Sequence, residues 1–192
     1  MIPVTGWVAF AALTLYLMLF FTGTFRLAKL GQRVWLFGTA KGRDRLAAIG
    51  FRLAFVLALL GPVGWSNADW RFLSVTGSVL ACSGAMLALV AQLGMAASWR
   101  VGVVEGETGD LVTSGLFAFS RNPTFVGQAL LLAGVALALP GVMTGLALVL
   151  FILSANAQIR SEEAVLLGVH GQSYARYLQA VPRWIGRTRS PS

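Results

Sequence analysis

Residues 121–163 read RNPTFVGQALLLAGVALALPGVMTGLALVLFILSANAQIRSEE. Two apolar runs, Thr124–Leu139 and Gly141–Asn156, stand either side of Leu139-Pro140-Gly141. Proline removes a backbone donor and glycine frees the chain, so a helix breaks there and the runs predict a tight helical hairpin. Each run is short for a span of about 20 residues. The second is expected to continue past Asn156 as a helix leaving the membrane. Asn156, Arg160 and Glu163 would then lie at i, i+4 and i+7 on one face, with Glu162 pointing roughly 100° away.

The rest of the chain agrees with a membrane setting. Of its 192 residues, 57% are hydrophobic and 11% charged, against about 25% charged in soluble domains. Three further apolar runs, Gly6–Phe25, Leu46–Trp65 and Phe72–Leu93, precede the hairpin. The expectation is an all-α integral membrane bundle of about five transmembrane helices. It is read as one membrane domain over residues 1–192, with N-terminal spans and a basic loop in 1–93 and the chemistry in 94–192. The first run has no Lys or Arg before it, which reads as a retained span and not a cleaved signal.

The formal charge of +8 flanks the apolar runs, which points to anionic lipid headgroups and not nucleic acid. Placing the N-terminus outside and the C-terminus inside puts every Lys and Arg except Arg52 and Arg71 on the cytoplasmic side, as the positive-inside rule asks. Trp7, Trp65, Trp70, Trp99 and Trp184 fall near span ends, as in an aromatic belt. Residues 26–45 mix bases with Leu30, Val34, Trp35, Leu36 and Phe37, a pattern suited to lying on the inner leaflet. Arg52 reads as a snorkelling side chain, His170 as structural or solvated, and Cys82 as a small core residue. One cysteine and one histidine offer no metal site.

The candidate chemistry lies in two cytoplasmic segments. The first, residues 98–123, is SWRVGVVEGETGDLVTSGLFAFSRNP, long and glycine-rich for a connection. The second, residues 156–186, is NAQIRSEEAVLLGVHGQSYARYLQAVPRWIG. Tyr174 and Tyr177, at i and i+3, share a helical face. Read without further information, the second segment is also what an amphipathic surface helix with a solvated Arg–Glu pair looks like.

LVTSGLFAFSRNPTFVG, followed by the hairpin and then by EEAVLLGVHGQSYARYLQAVPRWIG, resembles the isoprenylcysteine carboxyl methyltransferase and phospholipid methyltransferase superfamily. Leu111, Val112, Thr113, Gly115, Arg121, Pro123, Gly127, Glu162, Glu163, Gly171, Tyr174, Tyr177, Val181, Pro182 and Arg183 match its pattern. Gly109 and Asn122 stand where many members have histidine, and Phe117 and Phe125 where they have tyrosine. The resemblance covers the half from Leu93 onward. It implies a small membrane enzyme, of the bacterial plasma membrane by its composition, that uses S-adenosylmethionine and methylates a lipophilic acceptor entering from the bilayer.

On that footing the cofactor-binding residues are Leu111, Val112, Thr113, Gly115, Phe117, Arg121, Asn122, Pro123, Phe125, Arg160, Glu162, Glu163, Tyr174 and Tyr177. Arg121, Asn122 and Glu163 are the catalytic candidates. A guanidinium, Arg121 or Arg160, suits the carboxylate of the donor, and a carboxylate, Glu162 or Glu163, suits its ammonium. The glycine-rich loop suits close backbone approach to adenosine, and no Rossmann-type Gly-x-Gly-x-x-Gly turn is present. Missing imidazoles favour a thiol or carboxylate acceptor over an amine, unless burial raises the pKa of Glu162 or Glu163. The alternatives are a NADPH-dependent membrane reductase of the sterol-reductase type and a non-catalytic membrane relative.

Overall fold

The computed structural model describes residues 2–30, 42–65, 71–95 and 111–186. The described residues form five α-helices: α1 Val4–Lys29, α2 Gly42–Leu59, α3 Arg71–Met95, α4 Pro123–Ala138 and α5 Val142–Ala180. A short 3-10 turn, Gly115–Ala118, precedes α4. No sheet is present among them; the one isolated bridge joins Trp65 to Gly141. The expected helical hairpin is α4 and α5, and the chain turns at Leu139–Gly141.

Among the described residues, three helices are long and apolar enough to cross a membrane: α1, α3 over Phe72–Met95, and α5. The chain is an integral membrane protein by that measure. α4 is a shorter apolar helix of 16 residues, or about 24 Å at 1.5 Å per residue. α2 carries Asp44, Arg45 and Arg52 within its 18 residues. Leu15, Met18, Phe72, Val79 and Leu153 all stand well exposed. Helices apolar on every side suit a lipid surround, where such faces need no protein cover. That setting also corrects the reading of Cys82, which is exposed on α3 and not a core residue.

α3 and α4 pack backbone to backbone. A Cβ at Gly84 would press into the backbone of Leu131 and Gly127, and one at Gly134 into that of Ala81 and Gly77. In lipid, close approach of small residues replaces the hydrophobic effect as the source of helix pairing. α2 lies antiparallel to α5: Gly50 faces Ser154 and Gly61 faces Thr144. Phe51 and Phe55 of α2, Phe125 of α4 and Phe151 of α5 form an aromatic knot between them. α1 runs parallel to α3, with Thr5 hydrogen-bonded to Ser74 at one end and Gly23 near Gln92 at the other. The buried Gln128 amide of α4 donates to the Tyr16 hydroxyl of α1. Pairing such groups matters because an unmatched polar group in lipid costs several kcal/mol, on the order of a lost hydrogen bond or more.

These directions bring the start of α2, the end of α3, the start of α4 and the middle of α5 to one end of the bundle. α5 has 39 residues, about 58 Å, far beyond a hydrocarbon core of about 30 Å. Its apolar span ends near Ile159, and the stretch from Arg160 to Ala180 extends beyond it. Within that extension Gly171 has φ +53° and ψ −125°. Such a conformation suits glycine, since a Cβ there is penalised. The helix bends at this residue and sends Tyr174–Arg183 back toward the bundle.

Candidate functional site

The turn Ser120-Arg121-Asn122 enters α4 at Pro123, whose fixed φ and missing N–H suit a first helical position. The returning C-terminal segment is laid across it by four bonds. The Arg121 backbone N–H donates to Pro182 O over 3.0 Å. The Asn122 side-chain amide donates to Arg183 O over 2.9 Å. Arg121 Nη1 donates to Leu178 O over 3.2 Å, and Ser120 Oγ donates to Arg183 O over 3.5 Å. Further back, the Tyr177 hydroxyl donates to Phe117 O over 2.7 Å.

At the centre is Glu163. Arg121 Nη2 reaches its Oε1 over 3.0 Å, Arg183 Nε donates to the same oxygen over 3.0 Å, and Arg183 Nη2 pairs with Oε2. The Arg121, Glu163 and Arg183 side chains are 10%, 14% and 33% exposed. Two guanidiniums on one carboxylate leave a net positive charge in a sheltered place. Arg121 Nε is buried there with no partner. The hydrogen bond that Arg183 donates to the Glu163 carboxylate raises its already high pKa further.

Tyr174 and Tyr177 share a face as their spacing predicts, with ring centroids 5.9 Å apart. Burial, and then the charge of Glu163, push the Tyr174 phenol up to about 12. Burial likewise pushes Tyr177 up. Leu111 packs against this pair and Val181.

Asn156 and Glu163 of α5 both meet the C-terminal segment: Asn156 Oδ1 accepts from Trp184 Nε1 over 3.3 Å, and Glu163 holds Arg183. Arg160, between them, is exposed and outside this cluster. Glu162 turns away toward α2, where its Oε1 accepts from Gln158 Nε2 over 2.9 Å. Phe117 and Pro123 are buried near the clasp, Val112 is half-buried, and Thr113 and Gly115 are exposed. Gly115 has φ +61°, the left-handed conformation its lack of a Cβ permits. Phe125 belongs to the aromatic knot. The glycine-rich stretch 98–110, with Gly109, and the basic stretch 31–41 lie outside the described residues.

Arg183, though it matches the family pattern, and Gln158 are not among the candidate site residues that the sequence yields. The Val181-Pro182-Arg183 match was the available signal for Arg183. Gln158 left a fainter one, four residues before Glu162 on the same helical face.

The phospholipid methyltransferase family model matches residues 73–173, just over half of the chain. The chain belongs to that family. It is therefore a membrane methyltransferase, and the methyl donor of the family is S-adenosylmethionine. This sets aside the reductase reading and the non-catalytic one. A lipid acceptor is what the family implies. No curated protein and no solved structure matches the chain. The matched range takes in Arg121, Asn122, Glu162 and Glu163 but stops short of Tyr174, Tyr177 and Arg183.

Proposed function

We propose that this methyltransferase holds S-adenosylmethionine at the Arg121–Glu163–Arg183 cluster and methylates a lipophilic acceptor at the inner membrane surface. The observation that carries the reading is the buried, unpartnered Nε of Arg121 beside a cluster with surplus positive charge. A guanidinium donor without an acceptor, shut away from solvent, suits the carboxylate of an amino-acid-bearing ligand. Glu163, beside it, suits that ligand's ammonium. When bound, the donor supplies a methyl carbon made electrophilic by its sulfonium.

The remaining residues do the positioning. Asn122 holds the C-terminal segment in place through Arg183 O. Tyr177 ties that segment to the 3-10 turn, so Leu111, Val112, Thr113, Gly115 and Phe117 form the wall facing it. Tyr174 and Pro123 help to exclude water. Exclusion matters because methyl transfer to an anion cancels charge, and a dry site loses little solvation as it does so. The protein contributes alignment in addition.

Glu163 is engaged by two arginines and serves as a holder of charge, not as a base. With no imidazole beside Arg121, an acceptor already anionic near neutral pH, a thiolate or carboxylate of the isoprenylcysteine kind, needs least from the chain. The chain is one membrane domain with five spans, its N-terminus outside, and the cluster at the cytoplasmic face. The asymmetry of its Lys and Arg residues supports that orientation. Transfer of label from methyl-labelled S-adenosylmethionine to a panel of lipophilic thiols, acids and amines in vesicles tests the reading. Labelled product from at least one lipophilic acceptor is expected. Transfer only to water-soluble acceptors would overturn it.

A further inference from the structure

Thr124 and Gln128 stand one turn apart on the face of α4 that meets α1. Gln128 Nε2 donates to the Tyr16 hydroxyl, and the buried face of α1 continues from Tyr16 through Phe20 to Thr24. α3 closes the third side. A Cβ at Gly127 would press on the backbone of Ala88, so one turn further along this antiparallel pair Gln92 comes level with Pro123 and Thr124. A Cβ on Gly23 of α1 would meet Gln92 Nε2 at 3.6 Å and nothing closer among the described residues. Three helices thus bring Tyr16, Gln92, Thr124 and Gln128 to one junction, with room beside Gln92.

Gln92 Oε1, Thr124 Oγ1 and Gln128 Oε1 are buried there without a hydrogen-bond partner among the described residues. Gln92, Thr124 and Gln128 are 7%, 9% and 2% exposed, and Tyr16 is 1% exposed. Three such oxygens in one place, inside a bundle that crosses lipid, call for a partner. Its chemistry follows from the atoms that face it. The two amide oxygens only accept, while the Thr124 and Tyr16 hydroxyls each have a proton to give. The occupant must therefore both donate and accept. α1, α3 and α4 contain no Asp or Glu, and Arg26, Lys29 and Arg121 stand at this end of the bundle. A cation would be buried without a counter-charge, which is costly, and an anion would face two carbonyl oxygens.

We propose that the junction of α1, α3 and α4 is a binding site for water within the bundle. The water donates to Gln92 Oε1 and Gln128 Oε1 and accepts from the Thr124 and Tyr16 hydroxyls. A small neutral molecule with both donors and acceptors matches this set, and buried water serves otherwise unpaired polar groups in this way. The site has a structural consequence. α1 lies before the family-matched range 73–173, whereas Gln92, Thr124 and Gln128 lie within it. The water is a polar joint that fastens α1 to the methyltransferase half, in a setting where hydrophobicity gives helices little reason to associate. It stands independently of where the methyl donor binds.

The test is radiolytic hydroxyl labelling of the full chain in nanodiscs, read residue by residue by mass spectrometry. Millisecond X-ray pulses make hydroxyl radicals from water, and a buried side chain is labelled only where water lies against it. After correction for intrinsic reactivity, Tyr16 is expected to be labelled about tenfold or more above Phe151, which is equally buried, at 0% exposed, in the aromatic knot. Thr124→Val should lower Tyr16 labelling, and Thr124→Ser, which keeps the hydroxyl, should retain it. The thermal unfolding midpoint gives a second reading. A valine that replaced an idle buried hydroxyl would leave stability unchanged or raise it. Loss of a hydroxyl that holds water should instead lower the midpoint, by roughly 3 °C or more for a chain of this size. Tyr16 as silent as Phe151, or a midpoint of Thr124→Val at or above that of wild type, would overturn the proposal. So would Tyr16 labelling that vanishes in sodium or potassium chloride but persists in choline chloride, which would assign the place to a cation.

Discussion

Glu163 and Arg183 are twenty residues apart, yet Arg183 Nε donates to Glu163 Oε1 over 3.0 Å. A straight helix would separate them by about 30 Å. The bend at Gly171 closes that distance, so one backbone conformation assembles the cluster. Replacing Gly171 with alanine puts a Cβ on a residue at φ +53°, at a cost of roughly 1–2 kcal/mol. Affinity for S-adenosylmethionine should fall by about fivefold or more in calorimetry. Gly168→Ala, helical and with open space around its Cβ, should leave it unchanged.

Arg183 holds Glu163 through two nitrogens, Nε and Nη2. Lysine carries one charged nitrogen and cannot reproduce that fork. Arg183→Lys should therefore weaken donor binding measurably, and Arg183→Ala should weaken it further, by an order of magnitude or more. Equal affinities for the two variants would mean that the fork is unimportant and charge alone matters.

The Tyr177 hydroxyl and the Phe117 carbonyl share a buried bond of 2.7 Å. Tyr177→Phe leaves that carbonyl unpaired, which costs about 1–3 kcal/mol. The thermal unfolding midpoint should drop, and the segment after α5 should become easier to cleave in limited proteolysis. Unchanged cleavage would show that the tie is dispensable.

α3 and α4 depend on the absence of side chains at their crossing. Gly84→Leu and Gly134→Leu would each drive a side chain into the facing backbone, and overpacking typically costs about 1–3 kcal/mol or more. Thermal unfolding in detergent should show both well below wild type. Gly145→Ala, where nothing lies within reach of a Cβ, should be close to neutral.

Much of this architecture is legible in the sequence because lipid imposes simple rules. The apolar runs mark the helices, and Leu139-Pro140-Gly141 marks the hairpin. Arg121, Asn122 and Pro123 stand out as polar punctuation before an apolar run. Where the helical faces point is harder to read. Glu162 and Glu163 are adjacent and chemically alike, and only the packing of α2 against α5 assigns them different neighbours. Arg160 has the right spacing to join Glu163, but the returning chain passes Asn156 and Glu163 and leaves it exposed. The bend at Gly171 is invisible because a glycine is free to take helical or left-handed angles and its identity does not say which, and without the bend Arg183 has no evident partner. Cys82 misleads for a different reason: in lipid, an apolar residue can face outward at little cost.

The most direct measurement is calorimetric titration of S-adenosylmethionine into purified protein. Wild type, Arg121→Ala and Glu163→Ala are compared, each first shown by its thermal unfolding transition to be folded. Saturable binding to wild type and its loss in both variants is the expected result. Undiminished binding in both folded variants would contradict the placement of the donor at the Arg121–Glu163–Arg183 cluster.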